Sequence, residues 1–253
     1  MSGYIAEFFG TALLILFGNG VVANVVLSKT KGHNSGWIVI SAGWGLAVFI
    51  GAFCANKYSG AHLNPAVTLA AVMTGKLGLN MALGYVVAQL LGAMLGSLLV
   101  FVFYREHFLA TNDQDAKLAC FCTSPNIRKL GQSLVCEAIG TYALILPILL
   151  MVSPSLVPVT ADAPMNKLGL GTLELLPVGL LVFGIGLSLG GTTGYAINPV
   201  RDFGPRLMHA LLPVPDKRDS DWGYAWVPVV GPLLGAALAA VTYLALSDLV
   251  PLK

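Results

Sequence analysis

Two asparagine-proline pairs, Asn64-Pro65 and Asn198-Pro199, carry the most legible chemistry in this sequence. An Asn side-chain oxygen can accept a backbone N–H as a helix N-cap, and Pro suits the first helical position, where no donor is missed. The segments they open, Pro65 to about Gly75 and Pro199 to about His209, are too short to cross a membrane. At about 1.5 Å per residue each covers roughly half of a hydrocarbon core about 30 Å thick. They are expected to dip in and turn back, which is tolerated only where the irregular backbone is buried in protein or lines a water-filled cavity. A single such pair reads as an ordinary turn or cap. Two pairs opening equivalent half-length segments point to one shared site.

At such a site two helix starts face each other, each with a partial positive charge of about half an elementary charge. Protons and cations are repelled there. The Asn64 and Asn198 amide groups can donate to a passing oxygen and interrupt a water wire. The approaches, Gly60, Ala61, His62 and Leu63 in one case and Gly194, Tyr195 and Ala196 in the other, are expected to be non-helical. Their carbonyls would then form a ladder of acceptors for neutral hydroxyls.

The elements that must hold these residues follow from composition. Of 253 residues, 56% are hydrophobic and 10% charged, which leaves too little polar surface for a water-soluble globule. Apolar runs near Tyr4–Val26, Trp37–Ala55, Met81–Phe103, Leu134–Val152, Leu173–Leu189 and Tyr224–Leu246 give six expected spans. No Lys or Arg precedes the first, so it is expected to remain in the mature chain rather than act as a signal peptide. A net charge of +2, with the basic residues scattered through loops, is too small to imply a nucleic-acid partner, and none is expected. Cys54 and Cys136 read as buried side chains within spans. Cys120 and Cys122 read as free loop thiols, suited neither to a mutual disulfide nor to zinc.

The sequence also repeats itself. Glu7-Phe8-Phe9-Gly10-Thr11 returns as Glu137-Ala138-Ile139-Gly140-Thr141, Gly60 to Ala66 returns as Gly194 to Val200, and Val86 to Ala93 returns as Val229 to Ala236. The halves, 1–125 and 126–253, hold three spans each within a single expected domain. An odd number of crossings sets the two copies in opposite orientations.

The stretches Ser59-Gly60-Ala61-His62-Leu63-Asn64-Pro65-Ala66-Val67-Thr68 and Gly194-Tyr195-Ala196-Ile197-Asn198-Pro199-Val200-Arg201-Asp202-Phe203-Gly204-Pro205-Arg206 resemble the major intrinsic proteins, the aquaporin and glycerol-facilitator family. The resemblance extends along essentially the whole chain. It implies an all-α membrane protein of six tilted helices and two re-entrant half-helices in an inverted repeat, assembled as a homotetramer with one pore per subunit and no cofactor. Asp202, Arg206 and the Pro228-Val229 pair look like the glycerol branch. That branch implies a passive facilitator for glycerol and other small uncharged solutes, also passing water and excluding ions. Dihydroxyacetone, urea and undissociated lactic acid are further candidates, and a water-selective channel is the alternative. The filter carries over as Trp44, Gly186, Tyr195 and Arg201, with an aromatic corner for carbon, Arg201 donating to hydroxyls, and Gly186 leaving width. Two departures stand out: Val200 where the family mostly has Ala, and Tyr195 where glycerol facilitators often have Phe.

Glu7 and Glu137 are acids within apolar spans, where charge is expensive and usually functional. The resemblance makes them acceptors for backbone N–H groups of the re-entrant loops. His62 is expected to contribute its carbonyl and pack its ring, while His33, His107 and His209 read as loop or helix-end residues. Gly10, Gly92, Gly96, Gly140 and Gly235 read as close helix-packing points. The family places both termini in the cytoplasm of what the short termini suggest is a bacterial inner membrane. Lys29, Lys31, Arg105, Lys117, Arg128, Lys129, Lys217 and Arg218 then lie outside and only Lys57, Lys76, Lys167 and Lys253 inside, against the positive-inside rule. A proton-coupled transporter would need titratable groups along its route, and apart from the two supporting glutamates none is evident. No Gly-x-Ser-x-Gly, phosphate loop or metal cluster suggests an enzyme.

Overall fold

A computed structural model describes residues 1–152, 155–156, 166–167 and 169–249. Lys253, assigned above to the inner face, lies outside the described residues. Six apolar helical stretches of membrane length are present among them: α1 (Gly3–Val26), α2 (Trp37–Ser59), α4 (Leu79–Phe103), α7 (Leu130–Leu150), α8 (Leu176–Leu189, preceded by a 3₁₀ turn at Gly171–Leu175) and α10 (Val227–Leu249). Between them come the short α3 (Pro65–Met73) and α9 (Pro199–Leu211), and two small helices in the connection after α4, α5 (Arg105–Ala110) and α6 (Gln114–Ala119). Outside the helices lies a two-residue antiparallel ribbon, β1 (Ser155–Leu156) with β2 (Asn166–Lys167).

Hydropathy misplaces several ends because backbone hydrogen bonding, not apolarity, stops a helix. α2 runs past Ala55 to Ser59 and stops where Gly60 turns left-handed at φ 80°. α7 begins four residues before the apolar run and ends at Leu150. Side chains such as Leu83, Val102, Phe103, Leu180 and Leu238 face outward, as a multi-pass membrane protein requires of its lipid-facing surface.

Close approach is set by glycine. A Cβ on Gly92 would fall 2.2 Å from the Phe8 carbonyl oxygen, and one on Gly235 would fall 2.2 Å from that of Ala138. These backbone-to-helix contacts join α1 to α4 and α7 to α10 in the same way. The short helices cross over: α3 packs on α10 and α9 packs on α4. The cysteines differ from expectation. Cys54 is exposed on α2, while Cys120 and Cys122 are fully buried beneath the α6 connection. Burial pushes both of those thiols well above the ordinary cysteine range, which makes them unreactive.

Candidate solute pore

Both broken helices start with the cap expected of them. Asn64 Oδ1 accepts from Ala66 N at 2.8 Å, and Asn198 Oδ1 accepts from Val200 N and Arg201 N at 3.2 and 3.4 Å. Each asparagine also reaches across to the other segment. Asn64 Nδ2 donates to the Ile197 carbonyl and Asn198 Nδ2 to the Leu63 carbonyl, both at 2.9 Å. The two helix starts therefore sit side by side. Each amide has two N–H groups, so one remains to serve the cavity that both asparagines line.

The approaches are held by buried carboxylates. Glu7 accepts from the backbone N–H of His62 and Leu63 and from Ser59 Oγ and Gln89 Nε2. Glu137 accepts from the N–H of Ala196 and Ile197 and from Thr193 Oγ1. A trans peptide points its carbonyl opposite its N–H. The carbonyls of Ala61 and His62, and of Tyr195 and Ala196, consequently turn away from the carboxylates toward the cavity those residues line. Bending the chain this way takes left-handed backbone at Ala61, Leu63, Tyr195 and Ile197, with φ of 52°, 49°, 39° and 43°. Such a conformation costs an L-residue about 1–2 kcal/mol, and the carboxylates offset it. One expectation is corrected: the Leu63 carbonyl is not a free rung of the ladder, because Asn198 occupies it.

A cavity of about 330 Å³ runs past both asparagines to Trp44, Tyr195 and Arg201. A second, of about 340 Å³, opens beyond them and is lined also by Trp37, Thr123 and Gly194. The residues common to both cavities are Trp44, Tyr195 and Arg201, which marks the constriction between them. There the Arg201 guanidinium carbon stands 3.9 Å from the Trp44 ring centroid. Among the described residues, the guanidinium nitrogens of Arg201 have no protein acceptor, although its backbone N–H is capped by Asn198. The guanidinium thus rests against the Trp44 face, and the constriction sets unmatched donors directly beside aromatic carbon.

Gly186 stands apart from the rest of the expected filter and lines neither cavity. A Cβ placed on it would fall 2.9 Å from Tyr195 Cζ and Oη and 3.0 Å from Ser41 Cβ. Its missing side chain seats the Tyr195 ring instead of leaving open width. Val200 is buried, and the cap it receives from Asn198 is longer than the one at Ala66.

Behind the constriction, Asp202 and Arg206 form a fully buried pair at 2.8 Å. Asp202 accepts from Thr123 N and Oγ1, and Arg206 also donates to the carbonyls of Thr123, Ser220 and Asp221. Two connections are thereby fastened around α9. His209, expected at a helix end, is in the last turn of α9 but wholly buried, with Nδ1 at 2.9 Å from Ser220 Oγ and its ring against Phe121. Lys217 Nζ caps the end of α9 by donating to the carbonyls of His209, Ala210 and Leu212. Desolvation lowers its ammonium from the ordinary lysine value.

Sequence reasoning missed the apolar wall of the cavity. Trp44, Val48, Ala52 and Asn56 of α2 line it at helical spacing, opposed by Leu144 and Ile148 of α7 and Val178 and Val182 of α8. The i, i+4 rhythm on α2 was available as a signal, but in a helix that is apolar all round it does not say which face is inside.

Known proteins resemble this chain over nearly its whole length. The probable glycerol uptake facilitator protein of Thermotoga maritima is 54% identical, covering 96% of this chain and 98% of its own. The glycerol uptake facilitator protein of Streptococcus pneumoniae is 49% identical with the same coverage. The X-ray structure of the aquaglyceroporin from Plasmodium falciparum matches with a TM-score of 0.79 at 33% identity, over 98% of each chain. With the family described as Major intrinsic protein also matching residues 1–243, this chain belongs to the major intrinsic protein family.

Proposed function

We propose that this protein is a passive facilitator for glycerol and other small uncharged solutes, also passing water and excluding protons and ions. The observation that carries the reading is the constriction shared by the two cavities, where Arg201 donors that meet no protein acceptor among the described residues lie beside the aromatic carbon of Trp44 and Tyr195. A polyol has hydroxyls along one edge and carbon along the other, so it exchanges its water for donors and aromatic carbon at once. Mid-pore, the free N–H groups of Asn64 and Asn198 and the carbonyls of Ala61, His62, Tyr195 and Ala196 pass the hydroxyls onward. Gly60, Leu63 and Gly194 shape the same path. The facilitators from Thermotoga maritima and Streptococcus pneumoniae support glycerol over a water-selective channel.

The chain works as one channel domain in which 1–125 and 126–253 are inverted halves. Support comes from the matched roles of Glu7 and Glu137, of Pro65 and Pro199, and of Gly92 and Gly235. Asp202 holds α9 in place from behind. The assembly is a homotetramer in a bacterial plasma membrane with both termini cytoplasmic, a reading supported by family membership. Stopped-flow swelling of proteoliposomes with water, glycerol, dihydroxyacetone, urea and lactic acid at low pH tests the function. Glycerol flux well above empty vesicles, with no accumulation against its gradient and no proton movement, is the expected result. Uphill accumulation driven by a pH gradient would end the channel reading.

A further inference from the structure

We infer that Trp37 is a positioning residue for solute width, acting on the constriction through Tyr195 and the end of α8. The inference deepens the glycerol-channel reading and rests on it. Gly36, at φ 96° and ψ 174°, holds a conformation open essentially to glycine alone and so fixes where α2 begins. Trp37, Ser41 and Trp44 then follow along one face of α2 at helical spacing. From the first turn, Trp37 Nε1 donates to the Gly186 carbonyl at 2.8 Å. That carbonyl belongs to the last turn of α8, where helix oxygens lack intrahelical partners.

The same indole meets Tyr195 edge-on, with ring centroids 5.9 Å apart and planes at 75°. Both rings fill the groove left by α8 glycines. A Cβ on Gly190 would fall 2.5 Å from Tyr195 Cδ1 and 2.7 Å from Trp37 Cζ2. Tyr195 is thus pressed into a slot floored by Gly186 and Gly190 and closed by Trp37, which also lines the outer cavity. The Tyr195 and Ser41 hydroxyls are buried beside each other at the slot, and among the described residues no further group partners either of them. Beyond that neighbouring hydroxyl, the tyrosine owes its place to packing against the α8 glycines and the indole. Removing the indole frees the ring and the α8 terminus together, and the aperture between Tyr195, Trp44 and Arg201 widens.

The test is the permeability ratio of ribitol to glycerol in proteoliposomes carrying wild type, Trp37→Ala, Trp37→Phe or Gly190→Ala, with water flux as an internal reference. Trp37→Ala should raise the ratio severalfold. Trp37→Phe, which keeps an aromatic edge against Tyr195, should return it toward the wild-type value. Gly190→Ala, which crowds both rings toward the lumen, should lower it. An unchanged ratio in Trp37→Ala, or an equal fall of all three solutes, overturns the assignment while leaving the glycerol reading intact. A wild type without glycerol flux would sink both.

Discussion

Arg201 and Arg206 lie five positions apart on α9 and use identical side chains in opposite ways. All five guanidinium N–H groups of Arg206 are matched to acceptors, on Asp202 and on the carbonyls of Thr123, Ser220 and Asp221. Those of Arg201 meet no protein acceptor among the described residues and stand over Trp44 at the constriction. One arginine closes the structure, and on the proposed reading the other is left for the solute. Arg201→Ala should therefore fold with a thermal midpoint in detergent near wild type while changing the ranking of glycerol, urea and dihydroxyacetone fluxes. A variant that fails to fold but retains the wild-type ranking in its residual flux would reverse this division of roles.

Asp202→Asn should be damaging to stability, because it leaves the buried Arg206 charge uncompensated. Breaking one side of a buried pair costs about 3–5 kcal/mol. Arg128 and Asp221 form the natural comparison, since the Arg128 side chain is 50% exposed and such pairs contribute about 0–1 kcal/mol. Thermal unfolding of purified protein should show a much larger loss for Asp202→Asn than for Arg128→Ala. Equal losses would mean that the buried pair is not what fastens the two connections around α9.

Gly186→Ala tests the seat of Tyr195. A methyl group there meets the ring at 2.9 Å, and overpacking of this kind costs about 1–3 kcal/mol. If the ring yields toward the constriction, glycerol flux drops by roughly ten- to a hundredfold, and water flux drops less. Swelling assays that show glycerol and water reduced equally would place the strain elsewhere.

Glu137→Ala leaves the N–H groups of Ala196 and Ile197 buried without their acceptor. At about 1–3 kcal/mol for each orphaned group, and with Ile197 in a left-handed conformation, the expected result is little or no monodisperse protein on size exclusion. Glu137→Gln retains one acceptor oxygen and should be recovered in reduced yield. Full recovery of the alanine variant would mean that the loop holds its own shape.

Much of the site was legible because chemistry and repetition coincide in it. Asn64-Pro65 and Asn198-Pro199 name their own helix starts, and Glu7 and Glu137 stand out as acids in apolar surroundings. What stayed hidden depends on how side chains share space. The occupation of the Leu63 carbonyl by Asn198 and the burial of Tyr195 over Gly186 are contacts between residues far apart in the chain, and no local pattern encodes them. Trp37 reads from sequence only as the first residue of a span. The face that α2 turns inward was equally silent, since lipid and core both accept apolar side chains.

The reciprocal exchange between the asparagines has a bearing on biogenesis. Asn64 and its acceptor Ile197 are 133 residues apart, so a ribosome delivers the first broken helix long before the carbonyl that completes it. Until then Asn64 and the Leu63 carbonyl both lack the partners they have in the folded chain. Both bonds need the second segment, so a chain truncated before Ile197 lacks the groups that complete even the part it contains.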